Sequence, residues 1–235
     1  GLGGFLGVDK VEYCARSEDA HNLGFAAGWG KDDSSDKARS YATSNRIPYL
    51  RLEAGFLHAV GNVRSNSSRL SMIVDDMGIY YDSTKPSRLE SILNGLEEPF
   101  PEIPPYRGVR KYLNHCTSDP LSDELLITRA RNCIRDIVKN RLSKYNDCPD
   151  LYLGDSARSR VLVVDQSYDK LSIKYGLADA ERFHQMLDTA TREHPDSEII
   201  VMVHPDVVAG KKRGHLLGAA SHDRVRREAV GRGHL

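Results

Sequence analysis

The sequence has no CxxC pair, no excess of either charge and no apolar run near the roughly 18 residues of a membrane span. Each absence closes off a class of function. Cys14, Cys116, Cys133 and Cys148 are scattered, and a chain of 235 residues needs no disulfides to hold its core. They read as free thiols. Thirty-three basic residues balance thirty-three acidic ones, so no overall field draws the protein to nucleic acid or to an anionic membrane. Any polyanion site must be local. No His, Asp and Glu set has metal-ligand spacing, no G-x-S-x-G elbow occurs, and the GKK at Gly210 fails the P-loop pattern. The first residues lack a basic region leading into an apolar core and a cleavage site, so the expected compartment is the cytoplasm and the expected class soluble and globular.

Length admits one large domain or two small ones, and the residue pattern favours two. Ser34 to Thr43 suits a short helix, followed by the strand IPYLRLEAGFL, which breaks at Gly55. LSMIVDD is a second buried strand, and GIYYD after it is short and aromatic. Ser87 and Glu90 have capping-box spacing, which starts a helix there. NGLEEPFPEIPPYRG is a proline-rich connector. Asp119-Pro120 then opens a longer helix with Leu126, Ala130, Ile134 and Ile137 along one face, where Cys133 is expected to be buried. SKYNDCPD ends it, placing a boundary near Leu151. Beyond that boundary RVLVVD, a helix marked by Ala180, Phe183, Leu187 and Ala190, and EIIVMV form a β-α-β unit. Two strands buried on both faces and joined by a crossover helix predict a parallel sheet. The first residue and the last stretch, SHDRVRREAVGRGHL, look like cut edges or tails.

Asp165 follows the first of these strands and His204 the second, so both fall at the carboxyl edge of one sheet, where such sheets place ligands. Pro205 biases His204 to an extended backbone and removes the next amide donor. Its imidazole could meet a phosphate with Lys211, Lys212 and Arg213 nearby, or it could be a turn histidine beside a solvated basic loop. Asp75, Asp76 and Asp82 around MGIYY could hold a sugar or a cation, or simply form turns. The loop DQSYDKLSIKYG is long for its place and carries Asp165, Gln166, Asp169, Ser172 and Tyr175. A carboxylate here could act as nucleophile or base, or cap the next helix.

Taken in order, RLEAGFL, LSMIVDDMGIYYDSTKPSRLE, SKYN, VLVVDQSYDKLSIKYG and VMVHPDVVAGKKRGHL closely resemble the bacterial capsule polysaccharide Kdo-transferase family of the KpsC type. The resemblance runs from Gly28-Trp29-Gly30 to about Leu216, with the proline-rich connector as an insertion. It implies a two-domain GT-B fold with Rossmann-like parallel sheets. Residues 1–150 would be the acceptor-side α/β domain, and 151–235 the start of a nucleotide-sugar-binding domain that is incomplete. The implied activity is retaining transfer of Kdo from CMP-Kdo, building a β-Kdo linker on a phosphatidylglycerol lipid at the cytoplasmic face of the inner membrane. The implied partners are CMP-Kdo, the phosphatidylglycerol-linked Kdo acceptor, the inner membrane and the capsule export machinery, with no nucleic acid and no cofactor beyond the donor.

The resemblance also assigns roles. His204 and Pro205 take the nucleotide phosphate, Glu53 is the candidate base, and Arg51, Asp75, Asp76, Asp165, Gln166, Ser172 and Lys211 fall on the substrate side. The family's nucleophile lies in a pattern like V-D-Q-x-x-x-D-x-S-I. That position is Lys170 here, and Asp169, one residue early, is the displaced candidate. Ala54 stands where the family has Asp, Met202 where it has Lys, and the chain ends before the family's Thr-Ser and Gly-Phe-Glu-Ala-Leu-Leu segment. An inactive or truncated relative that only binds a nucleotide sugar or a partner is therefore the alternative. From His204 onward seven Lys or Arg face three Asp or Glu, which predicts weak attraction to anionic lipid.

Overall fold

The computed structural model describes residues 2–13, 23–57, 70–95, 100–107, 120–142, 152–218 and 225–229. The chain divides into two compact units, Gly1–Asp147 and Cys148–Leu235, both of mixed α/β character. Among the described residues no helix is long and apolar enough to cross a membrane.

The first unit opens with a short helix, α1 (Leu2–Leu6), whose Leu6 is buried. Strand β1 (Ala26–Trp29) then runs parallel to β2 (Tyr49–Ala54), with Ala26 beside Tyr49 and Trp29 beside Leu52. Between them α2 (Asp33–Asn45) is the crossover helix. Asp32 starts it by accepting the Ser35 N–H at 2.9 Å, and Arg46 in the left-handed region ends it. β3 (Met72–Asp75) adds to the other side of β2 in antiparallel register, Arg51 facing Asp75. Leu50 and Leu52 drive this sheet into a core shared with Leu6, Ile103 and Tyr106. The predicted capping box is present: Ser87 and Glu90 exchange both hydrogen bonds at the start of α3 (Arg88–Leu93).

The next helix differs from its prediction at both ends of the argument. Asp119 lies outside the described residues, Pro120–Ser122 forms a 3-10 turn, and the cap is Asp123, which accepts the Leu126 N–H at 3.0 Å. The helix α4 (Glu124–Lys139) is amphipathic as expected, yet none of its residues is buried. Cys133, expected inside, is exposed. Periodicity gave the face correctly but could not supply a neighbour to cover it.

In the second unit β4 (Arg160–Val164), β5 (Glu198–Val203) and β6 (Val225–Ala229) form an all-parallel sheet in that order. The short α5 (Leu171–Tyr175) and the crossover helix α6 (Ala180–Glu193) connect β4 to β5. Asp179 caps α6 by accepting the Arg182 N–H. Leu187 of α6 packs on Val163, Ile199, Val201 and Val203, and this core extends to Val207 and Leu216. β5 is the central strand and is covered on both faces. β4, at the edge, buries only Val163, with Leu162 and Val164 exposed, so double-sided burial holds for one of the two predicted strands. The polar final stretch, expected as a tail, contributes β6. Backbone pairing with β5 is available to any non-proline sequence, which is why composition concealed it.

Candidate functional site

The carboxyl edge of the second unit's sheet is organised by Asp165. Its N–H extends the ladder to the Met202 carbonyl at 2.9 Å, and its carboxylate turns inward. One oxygen accepts the N–H groups of Gln166 and His215 at 2.8 and 3.2 Å, and the other accepts that of Leu216 at 3.1 Å. Gly214 fits beside it because a Cβ there would stand 2.6 Å from the carboxylate. Ser167 pairs with Gly214 across this junction, and the Tyr168 N–H donates to the Arg213 carbonyl at 2.8 Å. The loop after β4 and the basic loop after β5 are thus stitched together.

A series of ring contacts stiffens the joint. The His215 imidazole stacks on Phe183 at 4.2 Å and on Tyr168 at 4.6 Å, and the Arg213 guanidinium lies 5.0 Å from the Tyr168 ring centre. Both His215 nitrogens are buried without a hydrogen-bond partner.

Between the two loops lies a cleft of about 520 Å³, lined by residues 167–170 and 210–213. Its wall carries Lys170, Lys211, Lys212 and Arg213 against one carboxylate, Asp169. Ser167 also belongs to this wall, and its hydroxyl is buried without a partner in the protein. A buried hydroxyl left unsatisfied beside a cationic cleft is a donor that an anion reaching it would satisfy. The arrangement can hold an anion of phosphate or carboxylate type, with Asp169 in the same wall.

The predicted residues divide around this cleft. Asp169 and Lys211 line it. Asp165 is buried and acts as the clamp that sets its shape. Gln166 and Ser172 are exposed, one beside that clamp and the other in the first turn of α5. His204 is not in the wall. Its Nδ1 accepts the Asp206 N–H at 3.1 Å while its carbonyl accepts those of Val207 and Val208, so it caps α7 (Pro205–Val208). Pro205 is the first residue of that turn. Asp206 in turn holds the basic loop, its carbonyl accepting the Lys211 and Lys212 N–H groups and its carboxylate standing 3.7 Å from the Lys212 ammonium. Sequence alone does not single out Ser167, Tyr168 and His215. Gly214 was the available signal, since a glycine next to a basic run marks a close backbone approach.

A second cluster sits at the carboxyl edge of β1 and β2 in the first unit. Arg51 is buried and donates through Nη1 to the Gly30 carbonyl at 2.6 Å and the Ser35 hydroxyl at 3.1 Å. Its Nη2 has no partner. Gly30 turns with φ +55°, and a Cβ there would stand 3.0 Å from the Tyr81 hydroxyl and 3.4 Å from the Glu53 carboxylate. Glu53, the predicted base, therefore faces Tyr81 across this turn, with one oxygen accepting the Ala54 N–H. Burial and then the Glu53 charge push the Tyr81 phenol up to about 12. Lys31 pairs with Asp82. Burial lowers the Lys85 ammonium, helped by the charges of Arg51, Arg39 and Lys31.

Asp75 and Asp76 belong to the framework. Asp75 accepts the N–H groups of Met77, Gly78 and Arg88, joining the end of β3 to the start of α3. Asp76 receives the Arg88 guanidinium in a two-pronged contact at 2.9 and 2.6 Å and the Tyr106 hydroxyl at 2.9 Å. Asp75 is thus a turn former, as one of the two readings of this segment has it, while Asp76 is the ion-pair partner of Arg88. Among the described residues no group of three or more His, Cys, Asp and Glu is placed to hold a metal ion.

Comparison with known proteins gives these sites a context. The profile of a family described as capsule polysaccharide biosynthesis protein matches residues 26–153 and, in an overlapping segment, 111–228. The capsule polysaccharide modification protein LipA of Neisseria meningitidis serogroup A is 35% identical over 213 residues, 88% of this chain and 27% of LipA. The lipopolysaccharide-processing protein LpsZ of Rhizobium meliloti is 35% identical over 179 residues, 75% of this chain and 36% of LpsZ. Among solved structures, Thermosulfurimonas dismutans KpsC, described as a beta Kdo 2,4 transferase, superposes with a TM-score of 0.74 at 35% identity, covering 97% of this chain and 63% of that one. The chain thus spans between about a quarter and two thirds of the length of these relatives.

Proposed function

Since the chain belongs to the capsule polysaccharide biosynthesis protein family, we propose that it serves capsule assembly as part of a retaining Kdo transferase of GT-B architecture. In this reading the second unit takes CMP-Kdo and the first takes a lipid-linked Kdo acceptor, at the cytoplasmic face of the inner membrane.

The observation that carries it is the cleft, which combines four cations, a buried unpartnered hydroxyl and a carboxylate at the carboxyl edge of a parallel sheet. CMP-Kdo brings a phosphate and a sugar carboxylate, and Lys211, Arg213 and Ser167 offer donors to both. His204 supports the site by shaping α7 and the basic loop behind it. For retention, Asp169 attacks the anomeric carbon as the bond to CMP breaks. The CMP phosphate leaves with the electron pair, and the acceptor hydroxyl then displaces Asp169, losing its proton to a base. Glu53 is the base this reading assigns. Support also comes from the Kdo transferase to which the chain is structurally similar.

Lys170 favours a second reading. It lines the cleft at the position where the resembled family carries its nucleophile, and a cation there favours binding of a nucleotide sugar without transfer. The two readings separate when the chain is incubated with CMP-Kdo and a synthetic Kdo-lipid acceptor. Transfer predicts product and a protein mass increase of one Kdo; a folded chain that binds CMP-Kdo but gives neither is the binding form.

A further inference from the structure

The series of rings behind the basic loop ends on one cation of the cleft. Ser167 and Gly214 pair in antiparallel sense, which sets Tyr168 opposite Arg213. Tyr168 then holds Arg213 at two points: its N–H donates to the Arg213 carbonyl at 2.8 Å, and its ring lies under the guanidinium at 5.0 Å. His215, two residues on, leaves the loop on the same side as Arg213 and stacks on the same ring at 4.6 Å, with 21° between the planes. Phe183 of α6 backs His215 in turn at 4.2 Å and 5°. The order from helix to cleft is therefore Phe183, His215, Tyr168, Arg213.

As plain filling, His215 is a poor choice. Both of its nitrogens are buried without a hydrogen-bond partner, a penalty that an aliphatic side chain of similar size would not carry. What the imidazole brings is a flat face on each side, which fixes the tilt of the Tyr168 ring. The cations of the cleft also differ in how they are held. Lys212 stands 3.7 Å from the Asp206 carboxylate, which competes with any ligand for its charge. Arg213 is held by a ring, which takes no N–H from it and leaves the planar fork to a ligand. A lysine is a point charge on a mobile stem, whereas a fixed guanidinium can give two parallel N–H bonds to one phosphate or carboxylate. We propose that Tyr168 and His215 are positioning residues for Arg213, and that the stack presents its guanidinium as the group that reads a two-oxygen anion in the cleft. This rests on the reading of the cleft as an anion site and adds which of its cations supplies the geometry and what holds it in place.

Calorimetric titration of the full chain with CMP, and with inorganic phosphate as the anion alone, tests this. Tyr168 is 41% exposed, so truncating it spares the core. Arg213→Gln and Tyr168→Leu each weaken both ligands, Tyr168→Leu by about two- to tenfold, the range for setting one long side chain free. In the Arg213→Gln background Tyr168→Leu adds nothing further, because the ring acts only through that guanidinium. His215→Leu weakens binding in the same way, and His215→Phe restores it, since phenylalanine keeps the flat ring and lacks the unpartnered nitrogens. The proposal is overturned if Tyr168→Leu or His215→Leu binds CMP as the parent does, or if the losses in Tyr168→Leu and Arg213→Gln simply add. A parent that binds neither CMP nor phosphate overturns the anion reading of the cleft together with it, whereas parent binding that these variants leave unchanged removes the positioning role alone.

Discussion

Asp165 and Leu216 are joined by a hydrogen bond of 3.1 Å from the Leu216 N–H to the Asp165 carboxylate, across a sequence separation of 51 residues. This bond and its neighbour from His215 tie the end of β4 to the far end of the basic loop. The cationic side chains of residues 211–213 therefore project from a backbone held at both ends, by Asp206 on one side and Asp165 on the other. A flexible basic loop would lose conformational freedom on meeting an anion; a clamped one has its charges in place beforehand.

Removing the clamp should cost stability in the second unit. Asp165→Ala leaves two buried N–H groups without an acceptor and is expected to destabilise that unit by about 3 kcal/mol. Asp165→Asn, which keeps one acceptor, should cost about half as much. Gly214→Ala, which drives a Cβ against the same carboxylate, should cost about 1–3 kcal/mol. Hydrogen exchange of the β4 and β5 amides reads all three. Unchanged protection in Asp165→Ala would show that the loop is held by other means.

Ser167 offers a test in which stability and binding move in opposite directions. Its buried hydroxyl has no partner, so Ser167→Ala removes an uncompensated polar group and should leave the fold unharmed or up to about 1 kcal/mol more stable. If the cleft takes the donor's anionic groups, the same change weakens CMP binding several-fold. Calorimetric titration with CMP checks this. Equal affinity in the variant would mean that the hydroxyl does not face the ligand.

Much of the fold was legible because its signals are local. The capping box at Ser87, the runs RVLVVD and EIIVMV and the stripe at Ala180 to Ala190 each need only a few neighbouring residues to express themselves. What stayed hidden depends on partners distant in sequence. The apolar stripe implies a buried Cys133, but the residue is exposed because no described neighbour covers the stripe, and β6 arises from ladder pairing that leaves no compositional trace. The site shows the same division. Asp169 and Lys211 could be named from their loop, but the structural task of Asp165 depends on amides fifty residues later, and the stacking of His215 on Phe183 depends on a helix between them. The place of the His-Pro step at the sheet edge is legible in the sequence, yet which way its imidazole points follows from the Asp206 N–H it accepts.

Position 170 separates the two proposed readings, transfer and binding alone. Lys170→Asp places a carboxylate where the resembled family has one and removes a cation from the cleft. Under the binding reading, Kdo transfer rises from none to measurable while CMP affinity falls, because one of four cations is gone. If Asp169 is already the nucleophile, Asp169→Ala abolishes the covalent Kdo adduct and the double change Asp169→Ala with Lys170→Asp restores it. Transfer that persists in Asp169→Ala alone would exclude Asp169 from that role.

The Lys31 and Asp82 pair predicts a pH signature for the first unit. Burial by itself would raise the Asp82 carboxyl, but the hydrogen bonds from Lys31 and Thr84 outweigh it and bring the group below its ordinary range. A carboxyl lowered by folding contributes stability that is present above its unfolded value, about 3.9, and is lost as pH falls through the lower folded value. Asp82→Asn should therefore be less stable than the parent at neutral pH, and the gap between them should narrow as pH falls below the unfolded value of about 3.9 and close once it has passed the lower folded value. Trp29, the single tryptophan, lies in β1 of the same unit and reports its unfolding in urea. A stability gap that stays constant from neutral pH into acid would mean that the ion pair contributes nothing and that the substitution acts through packing alone.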